Sequence, residues 1–417
     1  MRGKVYRRCP KPAPSQPPCG ARCGHSWTFD VEVARGGDGR RRHLTKGGFR
    51  TKAEAEEELA RALDRERAGG VAADHKLTVG DYLEQWLAGK ATLRPTTAKS
   101  YAEHVRLYLV PVLGRVKLAE LRPVHVERLY AAMRQLGQDN PKGVEVRALL
   151  EARTPMQRLT LRPLGAASGR RVHATLQSAL NTAVKRRLLP YNPAQHVELA
   201  SGDRPKVRVW SPEQVGAFLD GIANERLAPM FHLLAYVGMR RGEAVGLRWQ
   251  DVDLEAGELR VAQQIVQLGN ATFVGTPKTT WGIRTVPLDR ETVGVIRGHR
   301  AAQATDRLAW GPAWQDTGLV FTREDGLQLH PERVTRTFIR LAKRLGLPAV
   351  RLHDLRHTSA SLGLWSGETL VEVSRRLGHS SIAITADTYT HVMPAMASES
   401  GERRAAIIPR KGRAESA

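Results

Sequence analysis

The segment Val350–Val392, near the C-terminal end, combines helix-ending signals with four residues suited to catalysis. His353 and Arg356 stand three positions apart in a predicted helix, so they share one face. His379 follows a Leu-Gly pair that ends the next helix, and Tyr389 falls at or just behind the end of the short helix after it. A phenol near two histidines and an arginine is suited to nucleophilic attack on an anion such as a phosphodiester.

A second group of residues lies upstream. An apolar helix stops at Gly238, Arg240 begins the next helix, and Glu243 follows one turn later. The segment 276–287 predicts a β-hairpin with Lys278 near its tip. A single histidine or tyrosine is more often structural than catalytic, so the order and spacing of the whole set carry the hypothesis.

This set resembles the tyrosine recombinase family, also called phage-type integrases. The family pattern is an Arg in G-x-R-x-x-E, a Lys on a β-hairpin, H-x-x-R, a His or Trp after L-G, and a Tyr before T-H. The matching residues are Arg240, Lys278, His353, Arg356, His379 and Tyr389, with Glu243 as the acidic partner. No position of the pattern is missing, and the resemblance is specific over about half of the chain.

The resemblance implies that the tyrosine attacks DNA and forms a 3′-phosphotyrosine, which leaves a free 5′-hydroxyl. Arg240 and Arg356 would bind the nonbridging phosphate oxygens, where negative charge grows in the transition state. Lys278 is the candidate general acid, His353 a candidate base or hydrogen-bond donor, and His379 a donor to the phosphate. Glu243 is expected to orient the site rather than to transfer a proton.

The energy of the cleaved phosphodiester bond is kept in the covalent phosphotyrosine, so the resemblance predicts a reaction without ATP. The sequence contains no Walker-type glycine loop and no acidic cluster that indicates a catalytic metal. We therefore expect neither a cofactor nor a catalytic metal ion.

Charge indicates the class of partner. Lysine and arginine number 65 against 42 acidic residues, which gives a net charge of +23 and a pI near 10.6. This excess favours nucleic acid as the partner, although a basic solvated surface is the plainer alternative.

No apolar run approaches the roughly 20 residues of a membrane span, and the N-terminus lacks a signal-peptide core. With three cysteines, all before residue 24, a reducing cytoplasmic location at the nucleoid is expected, without membrane contact.

The elements predict a mainly α chain with small β elements, an α+β arrangement. By resemblance, residues 1–72 form an arm-type DNA-binding domain built from a small β-sheet and a helix. Residues 76–200 form a helical, SAM-like core-binding domain with an insertion near 138–168. Residues 207–397 form a mostly helical catalytic domain with a β-hairpin, followed by a tail at 398–417 that either docks on a neighbouring subunit or frays.

Basic residues in the first two domains are candidate DNA contacts, with a solvated surface as the alternative. They are Arg40, Arg41, Arg42, Lys46, Arg170, Arg171, Lys185 and Arg186.

Four N-terminal residues are candidate ligands for a structural metal ion. Cys9, Cys19, Cys23 and His25 supply enough ligands for a zinc ion. Only Cys19 and Cys23 form a close pair, so the spacing favours three free thiols over zinc.

The leading hypothesis is a site-specific DNA recombinase, the integrase of a prophage or integrative mobile element. The resemblance implies a homotetramer on double-stranded DNA with core and arm sites, helped by a DNA-bending host factor and an excisionase. A type IB topoisomerase is a second enzymatic reading, and a non-catalytic DNA-binding regulator of the same fold is a third. The complete residue set argues against the regulator.

Overall fold

The computed structural model describes residues 3–7, 9, 24–33, 42–67, 76–135, 164–199, 208–277 and 280–389. The chain divides into two compact units, Met1–Arg204 and Pro205–Ala417. Their boundary lies between the predicted core-binding domain, residues 76–200, and the predicted catalytic domain, residues 207–397. Within the described ranges, no helix has both the length and the apolar character needed to cross a membrane.

The first unit begins with a three-stranded antiparallel sheet in the order β1-β2-β3. Its elements are β1 (Gly3–Arg7), β2 (Trp27–Val33), β3 (Arg42–Phe49) and the helix α1 (Lys52–Arg67). Phe29 and Val31 of β2 are buried with Ala62 of α1, so the helix covers one face of the sheet. The β1 strand is absent from the sequence-based prediction, because it spans only five residues, two of them basic, and shows no apolar–polar alternation.

The other described residues of the first unit are mostly helical. Its helices are α2 (Val79–Ala88), α3 (Pro95–His104), α4 (Val110–Leu113), α5 (Pro123–Gln135) and α6 (Ala166–Lys185), with a π-helical turn (Val105–Leu109) joining α3 to α4. The Thr78 hydroxyl and the Asp81 carboxylate cap α2 reciprocally, which fixes where that helix begins. The buried Tyr82 hydroxyl donates to the Ala179 carbonyl at 2.7 Å and ties α2 to α6.

The described part of the second unit contains eight α-helices and five strands. The helices are α7 (Pro212–Gly221), α8 (Ala228–Tyr236), α9 (Arg241–Val245), α10 (Arg290–Trp310), α11 (Pro331–Arg344), α12 (Asp354–Trp365), α13 (Leu370–Leu377) and α14 (Ile382–Tyr389). The strands are β4 (Val252–Asp253), β5 (Glu258–Val261), β6 (Gln264–Leu268), β7 (Ala271–Gly275) and β8 (Arg284–Pro287).

Aromatic side chains fill the centre of this second unit. Trp210, Phe218, Phe231 and Phe338 come from the segment before α7 and from α7, α8 and α11, with contacting ring centroids 5.1 to 5.9 Å apart. All four are at most 1% exposed. This core holds the ends of α8, α9 and α12 in fixed positions, and those ends carry the candidate site residues.

Strand pairing in the second unit differs from the prediction. The prediction of a hairpin at 276–287 is wrong, because β7 pairs with β6 and β8 pairs with β5. The real hairpin is β6–β7, and β7 and β8 belong to two separate sheets. The predicted fold class, mainly α with small β elements and a hairpin in the catalytic part, is confirmed.

The predicted insertion near 138–168 lies outside the described residues except for 164–168, where α6 begins. The predicted tail at 398–417 lies wholly outside them. The domain boundaries remain predictions.

Candidate active site

A buried carboxylate lies between two arginines at the start of α9. Gly238 adopts a left-handed conformation (φ 71°), which turns the chain so that Arg240 becomes the N-cap of α9. The Glu243 carboxylate accepts from the Arg240 guanidinium at 2.8 Å and from the Arg284 guanidinium at 2.9 Å. Burial alone would raise the pKa of Glu243, but the two guanidinium groups outweigh burial and leave its pKa below the ordinary value. Glu243 therefore stays ionised and orients both arginines.

Arg356, on α12, reaches the same place from another element. Its guanidinium donates to the Gly238 carbonyl at 2.7 Å and to the Leu377 carbonyl at 2.6 Å, and the residue is 3% exposed. Burial lowers the pKa of Arg356 to about 9, which still leaves it charged at neutral pH. Arg240 also donates to the Gly378 carbonyl at 3.5 Å. The structure thus brings the two predicted phosphate-binding arginines together.

His379 is positioned by the way α13 ends. Gly378 is left-handed (φ 68°) and closes α13, and a β-carbon there would lie 2.8 Å from the Trp281 carbonyl oxygen. The His379 Nδ1 is 2.9 Å from the Thr385 hydroxyl on α14. Burial, followed by the nearby Arg356 and Arg240 charges, lowers the pKa of His379 to about 4. The ring is therefore neutral at physiological pH.

His353 is the N-cap of α12 and keeps part of its ring exposed. Its ring lies edge-on to that of His357, with centroids 5.3 Å apart. Desolvation by the protein around its other side, then the neighbouring His357 and Arg356, lower the pKa of His353 to about 4. This neutral histidine stands at the surface beside the arginines.

Tyr389 is the last residue of α14 and is 1% exposed. It packs in a small apolar cluster with Ala360, Leu364, Val373 and Leu377 from α12 and α13. Its hydroxyl lies 2.8 Å from the Nδ1 of His357. Burial raises the pKa of Tyr389 to about 12, partly offset by Arg356 and Arg376. The phenol is protonated at neutral pH, so an attacking oxygen requires an acceptor for its proton.

Two residues of this site were not predicted from the sequence. Arg284 binds Glu243 and also donates to the Arg376 carbonyl at 2.6 Å, which joins β8 to α13. His357 lies outside the family pattern, where a single histidine is expected to be structural, yet its Nδ1 contacts the tyrosine hydroxyl. The signal in the sequence that could have identified His357 is its position one helical turn after His353. No local pattern marks Arg284, since its partners are distant in sequence.

Lys278 lies outside the described residues, and its predicted role stays a prediction.

The structure also locates some of the predicted DNA contacts. Arg170, Arg171, Lys185 and Arg186 are exposed at the two ends of α6. Arg171 and Lys185 lie about four turns apart and project from one side of the helix.

In the arm-type part, Lys46 of β3 pairs with Glu58 of α1 at 3.1 Å and remains 58% exposed. Arg42 begins β3, whereas Arg40 and Arg41 lie outside the described residues.

Of the candidate zinc ligands, Cys9 follows β1 and is partly buried, and His25 is exposed before β2. Cys19 and Cys23 lie outside the described residues. The choice between zinc and free thiols stays a prediction.

Family models match most of the described chain. A model of the phage integrase family matches residues 209–396, an arm DNA-binding domain matches 21–64, and the N-terminal SAM-like domain of phage integrases matches 78–133. These matches define an enzyme that cleaves and rejoins DNA strands. The chain belongs to the phage integrase family of tyrosine recombinases, and site-specific recombination is its function.

Curated relatives agree with the family. A "Tyrosine recombinase XerC-like" protein of Caldanaerobacter subterraneus subsp. tengcongensis is 28% identical over 388 residues, covering 88% of this chain and 93% of that protein. The "Integrase" of Mycobacterium phage FRAT1 is 28% identical over 327 residues, covering 78% of this chain and 86% of that protein.

Solved structures share the fold. The Tn1549 transposon integrase in complex with transposon right end DNA superposes with a TM-score of 0.64 at 18% identity, covering 79% of this chain and all of that one. A lambda integrase from a tetramer bound to a Holliday junction gives a TM-score of 0.53 at 16% identity, covering 87% of this chain and 92% of that one.

Proposed function

We propose that this recombinase integrates and excises a prophage or other mobile element through a covalent 3′-phosphotyrosine formed by Tyr389. One observation carries the proposal. The guanidinium groups of Arg240 and Arg356 converge on the Gly238–Gly378 region, and Tyr389 lies on the adjoining α14. Two fixed cations beside a buried phenol are suited to an in-line attack on a phosphodiester.

Each site residue has a distinct task in this proposal. Arg240 and Arg356 stabilise the charge on the nonbridging oxygens, and Glu243 holds Arg240 in its rotamer. His379 and His353, neutral near pH 7, donate hydrogen bonds to the phosphate. Lys278 protonates the departing 5′-oxygen. No step requires ATP or a metal ion, because the phosphotyrosine conserves the bond energy and the arginines neutralise charge.

DNA binding follows from charge. The basic residues at the ends of α6 and on β3 contact core and arm sites, and strand exchange takes place in a homotetramer. A DNA-bending host protein and an excisionase set the direction of the reaction, which occurs in the cytoplasm at the nucleoid. Solved relatives in DNA complexes, including a tetramer on a Holliday junction, support DNA as the partner and a tetramer as the assembly.

The test uses a nicked duplex that carries the crossover sequence recovered from the junctions of integrated DNA. Wild type and Tyr389→Phe are incubated with it in chelator without ATP, and products are resolved on a denaturing gel. We expect a 3′-linked protein–DNA adduct with wild type and none with Tyr389→Phe, a loss of at least about 10³-fold. Tyr191→Phe, which alters a tyrosine 47% exposed in the first unit, should form the adduct normally.

An adduct in both variants would exclude Tyr389 as the nucleophile. Retained, salt-sensitive DNA binding without any adduct from wild type would instead indicate a non-catalytic regulator. Relaxation of plain supercoiled plasmid separates recombinase from topoisomerase, and we expect none.

A further inference from the structure

His357 contacts the nucleophile more directly than either histidine of the recombinase pattern. Its Nδ1 lies 2.8 Å from the Tyr389 hydroxyl, with ring centroids 5.8 Å apart. The His379 ring bonds to the Thr385 hydroxyl, and His353 meets His357 edge-on. Among the described residues, His357 is therefore the histidine in direct hydrogen-bond reach of the attacking oxygen.

Resting on the proposed phosphotyrosine chemistry, we propose that His357 is a further catalytic residue, the group that accepts the Tyr389 proton during strand cleavage. As the Tyr389 oxygen forms its bond to phosphorus, its proton passes to the His357 Nδ1 and the bond from phosphorus to the 5′-oxygen breaks. A separate acid protonates that oxygen. In rejoining, the 5′-hydroxyl attacks phosphorus and gives its proton back to that separate acid, now in its basic form, while His357 returns its proton to the departing tyrosine oxygen.

The neutral imidazole of His357 accepts at Nδ1 when its ring proton is on Nε2. The titratable and charged groups near it are Asp354, Arg356, Arg351 and His353 in its own segment, Tyr389 on α14, and His379 after α13. Burial, opposed by Asp354 and supported by the Arg356 and Arg351 charges, lowers the pKa of His357. The ring is neutral at physiological pH, so it can take up a proton from a phenol whose own pKa is raised.

The experiment measures the rate of adduct formation on the nicked crossover duplex between pH 6 and 9. His357→Phe retains a flat ring of similar size without an acceptor nitrogen. We expect a loss of about 100-fold at neutral pH, as for removal of a general base. The remaining rate should rise about tenfold per pH unit because it depends on the phenolate fraction, whereas wild type should vary less. His357→Gln, which keeps an acceptor oxygen but no basic nitrogen, should show the same pH dependence.

A second measurement separates proton acceptance from a packing role. Tyr389 is replaced by a fluorinated tyrosine whose phenol ionises near neutral pH, in the wild-type and His357→Phe backgrounds. An ionised nucleophile has no proton to transfer, so most of the deficit of His357→Phe should disappear. The matched control is His299→Gln, which removes another buried imidazole, bonded to the Val320 carbonyl at 2.8 Å. It should leave the pH dependence unchanged.

Two results would overturn the assignment of His357 alone: a pH profile parallel to wild type in both variants, or a deficit that persists with the fluorinated nucleophile. Wild-type protein that forms no adduct would overturn the proposed function and this inference together. Thermal unfolding and binding of the same duplex establish that each variant is folded.

Discussion

Arg356 is held in place before DNA arrives. Two backbone carbonyls, of Gly238 and Leu377, hold its guanidinium, and neither depends on a flexible side chain. The charge is thus directed into the site by the turn after α8 and by the end of α13. Such preorganisation lets the cation stabilise a transition state without reorganising at the moment of reaction.

Glu243 provides the corresponding support for Arg240 and Arg284. Glu243→Gln removes the negative charge from a side chain that is 2% exposed and leaves two guanidinium groups uncompensated. We expect the free energy of unfolding to fall by about 3 kcal/mol, as when one partner of a buried ion pair is removed. Adduct formation should fall by about tenfold or more. Denaturant titration and the adduct assay measure the two effects.

The control is Glu255→Gln, since that carboxylate is 89% exposed and pairs with Arg297 at 2.8 Å. Surface pairs contribute little, so both measurements should match wild type. An unchanged stability for Glu243→Gln would show that the buried carboxylate is dispensable.

At the scale of elements, α11 is the most strongly amphipathic of the described helices in the second unit. Val334, Phe338 and Leu341 are buried, while the opposite face carries exposed cations. Those cations are Arg333, Arg336, Arg340, Lys343 and Arg344. An amphipathic helix that is basic on its solvent side is suited to lie along a phosphate backbone.

Arg333→Gln combined with Lys343→Gln should weaken DNA binding at physiological salt. Neither side chain forms an ion pair with any residue in the described ranges, so both charges remain available to phosphates. The slope of log K against log salt should shrink by about 1 for each phosphate that the variant no longer neutralises, which fluorescence anisotropy at several salt concentrations measures. Arg307→Gln is the control, because Asp316 already balances that charge at 3.3 Å. Equal slopes for all three proteins would exclude α11 from the DNA interface.

Strand pairing shows what an element-scale pattern cannot decide. The residues around Lys278 have the turn chemistry of a hairpin, but β7 and β8 belong to different sheets. Strand propensity and turn residues predict that a strand exists and where it ends. The partner depends on which apolar face is nearest in the folded chain, and that information is not local.

At the scale of the whole molecule, buried neutral histidines make the free energy of unfolding depend on pH. Burial lowers the pKa of His232, His299 and His379 below that of an unfolded histidine, near 6.5. The unfolded chain then binds more protons, so stability falls as pH drops from about 6.5 toward 4. Thermal midpoints across this range should decline less steeply for His299→Gln than for wild type. His196→Gln, at an exposed position, should follow wild type, and identical slopes for all three would contradict the linkage.

The sequence by itself determined the fold class and the residues with chemical potential, because both are expressed locally. The apolar periodicity, the caps at Ser211 and Thr369, and the glycine that ends α13 each act over a few positions. The order of the arginines, histidines and tyrosine then indicated the family.

Only the tertiary structure decided which of these groups touch. Arg284 reaches Glu243 across 41 positions, and His357 meets Tyr389 across 32. The β1 strand also depends on a partner that lies beyond a long intervening segment. Such contacts are fixed by how helices and strands pack within each unit. Packing is a property of the whole unit, and no window of the sequence contains it.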